Sequence, residues 1–159
     1  EVISKDFEDN QTIVANATGG NGDYEYQLDD GPWQNSGVFE NVFGCETHTV
    51  RAREVLGCST VPQKDINLIY FPKLFTPNGD GYNDTWEIKG IRSNDYKSSH
   101  IYIFDRYGKL LKSMALINNS WNGLYNGSRL PSSDYWFRIE LVRLDGTLLS
   151  KQGNFSLKY

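Results

Sequence analysis

The sequence has few of the residues that catalysis and membrane insertion require. Only two histidines, His48 and His100, occur in 159 residues, and neither accompanies a serine or cysteine in a recognisable nucleophile elbow. No apolar run approaches the roughly 18 residues of a membrane-spanning helix. No glycine-rich phosphate loop opens a helix. The sequence therefore predicts neither an enzyme active site nor a transmembrane segment.

Basic residues are also in the minority. Sixteen Lys and Arg face twenty Asp and Glu, a net charge of −4, whereas nucleic-acid binding needs a basic face. Helical periodicity is missing over windows of about ten residues. Aromatic residues are plentiful instead, with ten Tyr, eight Phe and four Trp beside fifteen Gly. This composition predicts an all-β protein that does not bind nucleic acid.

Short alternating segments divide the chain into two stretches. Residues 24–28 and 49–53 alternate apolar and polar side chains, which is typical of strands with one wet face, and residues 29–32 form a turn signal between them. Strands at spacings of about ten residues predict an immunoglobulin-like sandwich of about seven strands over residues 1–69.

The second stretch, residues 70–159, shows the same kind of pattern. Residues 101–104 are apolar on both faces, which predicts an internal strand. Asp105–Lys109 and Asp145-Gly146 are hairpin turn signals, and residues 135–141 alternate again. We therefore predict two tandem immunoglobulin-like antiparallel β-sandwich domains, 1–69 and 70–159.

The two cysteines, Cys45 and Cys58, give an ambiguous signal. In an exported protein they are expected to pair. A hairpin over residues 46–54 and 59–68 would place them near opposite ends, farther apart than the about 7 Å that a disulfide spans between α-carbons. A mutual disulfide and pairing with a cysteine farther upstream both remain open.

One segment is unusually rich in turn-forming residues. Residues 71–86 read FPKLFTPNGDGYNDTW, and eight of the sixteen are Pro, Asn, Gly or Asp. Phe71, Phe75 and Trp86 bracket them. The pattern predicts a tight, oxygen-rich loop held between aromatic anchors.

This loop is a candidate calcium site. Counted from Thr76, its oxygens match positions three, five, seven, nine and twelve of an EF-hand loop. The candidate ligands are Asn78, Asp80, the Tyr82 carbonyl, Asp84 and Glu87. Thr76 replaces the usual Asp at position one, and the flanks are not helical. Alternatively, the same side chains cap local N–H groups without metal.

The four tryptophans also allow two interpretations. Trp33, Trp86, Trp121 and Trp136 could form a sugar-binding platform, or they could fill small β cores, where aromatic side chains dominate. A carbohydrate- or surface-binding module of an extracellular protein is therefore an alternative function, which a glycan array would test.

Five sequence pieces carry a family resemblance. They are FPKLFTPNGDGYNDTWEIKGI (71–91), IYIFDRYGKLL (101–111), SWNGLYNG (120–127), LPSSDYWFRIEL (130–141) and GNFSLKY (153–159). In order and spacing they resemble the type B, gliding-motility-associated C-terminal sorting domain of the type IX secretion system of Bacteroidota. THTVRAREVLGC (47–58) resembles the immunoglobulin-like adhesin repeats that precede such domains. The chain ends in Lys-Tyr, where the family often ends in a basic residue, and has Asn154 where the family often has His.

The resemblance implies a secretion signal and no enzyme. Such a domain directs a large surface protein or adhesin, including gliding-motility adhesins, across the outer membrane. The implied partners are the outer-membrane translocon and its shuttle proteins. The cargo passes through the periplasm and reaches the cell surface or the medium. We expect the chain to be a monomeric C-terminal fragment of a longer protein. Calcium is its one candidate cofactor.

The last strand is the candidate recognition element. We expect it to lie at a sheet edge, where it could pair with a strand of the translocon, or to present its Phe155 and Leu157 face. The candidate residues are Asn154, Phe155, Ser156, Leu157, Lys158 and Tyr159.

Overall fold

The computed structural model describes residues 7–20, 22–44, 47–57 and 62–159. It divides into two compact units, Glu1–Tyr70 and Phe71–Tyr159. The described structure is almost entirely β, with mainly antiparallel sheets, so the predicted all-β class is confirmed. That each unit is a complete immunoglobulin-like sandwich stays a prediction. Cys45 and Cys58 lie outside the described residues, and no helix in the described part could span a membrane.

The described part of the first unit contains two small antiparallel sheets. Its described strands are β1 (Asn10–Val14), β2 (Tyr24–Leu28), β3 (Val38–Phe43), β4 (Thr47–Glu54) and β5 (Gln63–Asn67). One sheet pairs β1 with β3, and the other has the order β2–β4–β5. Ile13, Val42, Val50 and Leu68 form the buried core. The strands predicted from the alternation at residues 24–28 and 49–53 are therefore confirmed.

The second unit is built on one five-stranded sheet. Its strands are β6 (Leu74–Phe75), β7 (Tyr96–Phe104), β8 (Leu110–Met114), β9 (Leu124–Tyr125), β10 (Ser128–Arg129), β11 (Ser133–Arg143) and β12 (Leu148–Leu157). Two 3₁₀ turns cover Ser93–Asp95 and Leu116–Asn118. The large sheet has the order β6–β12–β11–β7–β8, and β9 and β10 form a separate hairpin.

The turn signals explain the hairpins of this sheet. Gly108 and Gly146 have φ angles of 80° and 93°, in the left-handed region that glycine adopts without steric cost. Gly146 lies in the turn that joins β11 to β12, where the Arg143 N–H donates to the Thr147 carbonyl at 2.9 Å. Strand β7 pairs with β11 and β8, so the predicted internal strand at 101–104 is confirmed.

The core of the second unit is a cluster of aromatic rings around Phe155. The Phe155 ring stacks on Trp86 with a centroid separation of 4.5 Å. Four more rings have centroids within 5.9 to 6.4 Å of it. These rings belong to Phe75, Trp121, Tyr135 and Phe137.

The cluster also anchors both flanks of the Asn- and Gly-rich loop. Phe71, Phe75 and Trp86 are all buried, and the Trp86 indole N–H donates to the Pro72 carbonyl at 2.9 Å. Trp86 and Trp121 exchange both backbone hydrogen bonds, at 2.8 and 2.9 Å. The predicted aromatic anchors are therefore confirmed.

Replacement of the central ring is expected to destabilise the second unit strongly. Phe155→Ala removes a ring that contacts five others and should lower the free energy of unfolding by about 3–5 kcal/mol. Chemical denaturation of the full chain, followed by tryptophan fluorescence, measures this change. Leu144→Ala, at a side chain that is 61% exposed, is the control. Equal effects of the two substitutions would contradict the assigned core.

Candidate recognition site

The loop of residues 76–84 closes on itself directly after β6. The Thr76 N–H donates to the Asn83 carbonyl at 2.8 Å. Gly79 and Gly81 have φ angles of 84° and 88°, and Asn83 has a φ of 50°. Glycine adopts these angles freely, and asparagine tolerates them better than most residues. The Asn and Gly content of the loop is thus explained by its backbone path.

Asp80 stabilises one half of this loop. Its carboxylate accepts the Tyr82 N–H at 2.8 Å and a side-chain N–H of Asn78, also at 2.8 Å. The hydrogen bond from the Tyr82 N–H, followed by that from Asn78, lowers the pKa of Asp80 below its ordinary value. Because both bonds favour the ionised form, Asp80 remains a carboxylate in mildly acidic solution.

Asp84 stabilises the other half. Its two carboxylate oxygens accept the N–H groups of Gly79 and Gly81 at 2.7 and 2.9 Å. The side chain therefore points back into its own loop. Tyr82, between these contacts, is 78% exposed.

The candidate calcium ligands are partly brought together. Asn78, Asp80, Tyr82 and Asp84 share the loop, whereas Glu87 pairs with Lys89 beyond it. Among the described residues, no three His, Cys, Asp or Glu side chains form a group that could hold a metal. The hydrogen bonds of Asp80 and Asp84 match the capping alternative, and the calcium site stays a prediction.

The last strand does not lie at the sheet edge, so that expectation is wrong. Strand β12 lies between β11 and β6, and Ser156 and Leu157 pair with Leu74 and Phe75 of β6 in parallel. The Lys158 N–H donates to the Phe75 carbonyl at 3.2 Å. A two-residue strand with no alternating pattern covers this edge, and no sequence signal marked it.

The candidate residues 154–159 separate into buried and accessible side chains. Phe155 and Leu157 are 1% and 0% exposed, so the folded unit does not present that face. Asn154, Lys158 and Tyr159 are exposed, and Ser156 is half-buried. The Ser156 hydroxyl donates to the Asp134 carboxylate at 2.5 Å. Only the polar side of the strand and its end are therefore available to a partner.

Residues far away in the sequence surround the end of this strand. The Tyr159 N–H donates to the Ser132 hydroxyl at 3.3 Å, and the Arg129 guanidinium lies 5.2 Å from the Tyr159 ring centroid. Arg106 donates to the Ser133 hydroxyl. Sequence analysis missed both arginines because only the sheet order brings them to the chain end.

Both histidine rings contact neighbouring groups of the fold. The His48 ring nitrogens lie 2.8 Å from an Asp29 carboxylate oxygen and 2.8 Å from the Phe43 carbonyl oxygen. Burial alone would raise the pKa of Asp29, but the hydrogen bonds from His48 and from the Thr49 N–H outweigh it, and the pKa is lowered. His100 stacks on Tyr102 with a centroid separation of 6.2 Å.

The three tryptophans of the second unit differ in burial. Trp86 and Trp121 are buried in the aromatic cluster, whereas Trp136 is 42% exposed. Trp33, in the first unit, lies under the Arg53 guanidinium at 4.1 Å. The core interpretation therefore holds for Trp86 and Trp121.

One comparison with known proteins identifies a family. The family model described as the CHU_C type IX secretion signal domain matches residues 69–156, more than half of the chain. Among solved structures, dimeric latent PorU from Porphyromonas gingivalis aligns with 99% of this chain at 12% identity and a TM-score of 0.37. The chain corresponds to 20% of the length of that PorU chain. No curated protein matches the sequence.

Acid is expected to open the loop at Asp80. Because the pKa of Asp80 is lowered in the fold, its stabilising contribution is present above the unfolded value of about 3.9 and is lost as the pH falls through the lower folded value. The Tyr82 amide signal, followed by NMR, should therefore titrate with a midpoint below 3.9. In Asp80→Asn this transition should vanish. A wild-type midpoint at or above the ordinary value would contradict the hydrogen bonding described.

The calcium prediction has its own thermal test. A ligand that binds only the folded state raises the melting temperature by mass action. If the loop binds calcium, the full chain should melt higher in millimolar calcium than in chelator, and Asp80→Asn should abolish the difference. An unchanged wild-type melting temperature would contradict calcium binding and favour the metal-free loop.

Proposed function

The chain belongs to the type IX secretion signal domain family, and we propose that its second unit is the address by which a larger protein crosses the outer membrane. The family match covers residues 69–156, so the predicted sorting domain is confirmed and a role in secretion follows from it. The proposed partners are the outer-membrane translocon and its shuttle proteins. The cargo passes through the periplasm and reaches the cell surface or the medium.

The family match carries this proposal, and the residues that follow β12 support a recognition site on the folded unit. Phe155 and Leu157 hold the last strand in the core, while Lys158 and Tyr159 are exposed immediately beyond it. A receptor can therefore contact these two residues without unfolding the unit. The signal is then a property of the folded surface.

The cargo and the first unit belong to the finer part of the proposal. We take the first unit as an immunoglobulin-like spacer and the whole chain as the end of a surface adhesin of a Bacteroidota cell, such as a gliding-motility adhesin. Resemblance of residues 47–58 to adhesin repeats supports this assignment. We further propose that the chain is monomeric.

The chain is proposed to have no enzymatic activity of its own. His48 and His100 both contact neighbouring strand residues, which gives each a structural role. The loop carboxylates of Asp80 and Asp84 likewise accept hydrogen bonds from their own loop. Because these contacts give each side chain a structural role, they support a module without a catalytic site.

The proposal predicts translocon-dependent export of a reporter. Residues 1–159 are fused behind a fluorescent protein with a signal peptide and expressed in a gliding Bacteroidota host. Fluorescence should reach the surface or the medium in the parent strain and stay in the periplasm of a translocon-deficient strain. Equal distribution in both strains would contradict the proposed function.

Variants at the chain end test the recognition element within the same assay. Deletion of residues 154–159 is unsuitable because it also removes Phe155 and Leu157 from the core. Lys158→Ala/Tyr159→Ala keeps both and should reduce export, whereas the exposed control Leu144→Ala/Leu148→Ala should not. Full export of the first variant would show that the receptor does not read the chain end.

A further inference from the structure

We propose that one end of the five-stranded sheet is a docking surface for an acidic protein segment of the export machinery. This inference rests on the proposed function and names the chemistry of its partner. The surface, here called the basic end, is defined by Arg106, Tyr107, Lys109, Arg129, Lys158 and Tyr159.

The topology brings the basic end together from separate segments. The turn between β7 and β8 supplies Arg106, which donates to Ser133 at the start of β11. Strand β10 supplies Arg129, which lies over the Tyr159 ring. Because β11 begins where β7 and β12 end, these groups lie at the same end of the sheet.

A cleft lies within this surface. Its lining includes Arg106, Ser132, Ser133, Asp134 and Lys158. Two cations and the Asp134 carboxylate border this depression, together with the hydroxyls of Ser132, Ser133 and Ser156. Guanidinium groups bind carboxylates through paired hydrogen bonds, and serine hydroxyls can donate to the same oxygens.

The cations of the basic end lack acidic partners. The ion pairs of the described residues are formed by other Lys, Arg and His side chains. None of them includes Arg106, Lys109, Arg129 or Lys158. In a chain with a net charge of −4, these four cations at one end of the sheet, two of which line the cleft, are a local excess of positive charge.

The nearby acidic groups are already hydrogen-bonded. Asp105 accepts the N–H groups of Tyr107 and Lys109 at 2.8 and 2.9 Å. Asp134 accepts the Ser156 hydroxyl at 2.5 Å. These carboxylates fix the turn and the strand end, while the four cations are exposed.

Exposed tyrosines accompany these cations. Tyr107 is 87% and Tyr159 is 49% exposed. Lys109 lies 4.6 Å from the Tyr125 ring centroid, and Arg129 lies 5.2 Å from that of Tyr159, so ring contacts restrict both cations before a partner arrives. Tyr and Arg are the residue types that anchor protein interfaces.

Charge complementarity selects the partner. Positive surfaces without internal partners attract and orient negative ones. A cleft that combines cations with hydroxyls, beside the exposed tyrosine rings, fits Asp and Glu side chains spaced along a polypeptide. An anionic glycan and an anionic lipid surface are the alternatives that the binding experiment distinguishes.

The export reporter tests this docking surface in cells. In the full chain, Arg106→Glu/Arg129→Glu should lower export at least about tenfold, an effect of roughly 1.4 kcal/mol or more. Arg92→Glu/Lys97→Glu makes the same charge change at exposed cations elsewhere in the second unit and should leave export unchanged. Equal export of both variants would overturn the inference, whereas translocon-independent export of the wild type would instead overturn the proposed function.

Folding is controlled separately. Each purified variant should melt close to the wild-type temperature. If Arg106→Glu/Arg129→Glu does not fold, it is replaced by Arg106→Gln/Arg129→Gln, which removes the two positive charges without adding carboxylates. Normal export of a folded Gln variant would likewise overturn the docking surface.

Direct binding identifies the class of partner. The purified full chain is titrated with poly-glutamate, with heparin and with vesicles of anionic phospholipid. We expect poly-glutamate to bind best, to weaken with added salt and to lose at least about tenfold in affinity in Arg106→Glu/Arg129→Glu but not in Arg92→Glu/Lys97→Glu. Preferred binding of heparin or of vesicles, or no binding of poly-glutamate, would overturn the acidic-protein partner.

Discussion

The packing of the Phe155 ring is the interaction on which the second unit depends. Five aromatic rings surround it, contributed by β6, β11 and the two segments that hold Trp86 and Trp121. Because Phe155 lies in β12, the core is complete only when this strand is in place. Integrity of β12 and folding of the unit are therefore the same condition, which agrees with the proposal that the folded surface carries the signal.

The same packing determines what remains on the surface. Phe155 and Leu157 turn inward and Lys158 and Tyr159 follow outside. Strand β6 pairs with Ser156 and Leu157, then leads directly into the loop of residues 76–84. The loop and the chain end consequently emerge at the same end of the sheet. The Asp80 and Asp84 carboxylates accept backbone N–H groups of the loop and fix it between its two core-anchored flanks.

Local features of this architecture could be predicted from the sequence, and long-range ones could not. Gly108 and Gly146 indicated their turns because glycine is favoured where φ is positive. The aromatic residues on either side of the loop indicated its anchors. The internal position of β12 was missed because β6 has only two residues and no periodicity. The approach of Arg129 to Tyr159 and of Arg106 to Ser133 depends on contacts between distant segments, which no local pattern encodes. The family resemblance supplied the secretory role, which the folding pattern alone could not.

The most direct test of the account is a contact measurement at the chain end in living cells. A photo-crosslinking residue, p-benzoylphenylalanine, replaces Tyr159 in one strain and Leu144, in the turn at the opposite end of β12, in another. During export, the account predicts crosslinks to proteins of the type IX machinery from position 159 and few or none from position 144. Crosslinks of equal yield from both positions, or from position 144 alone, would contradict recognition at the end of the chain.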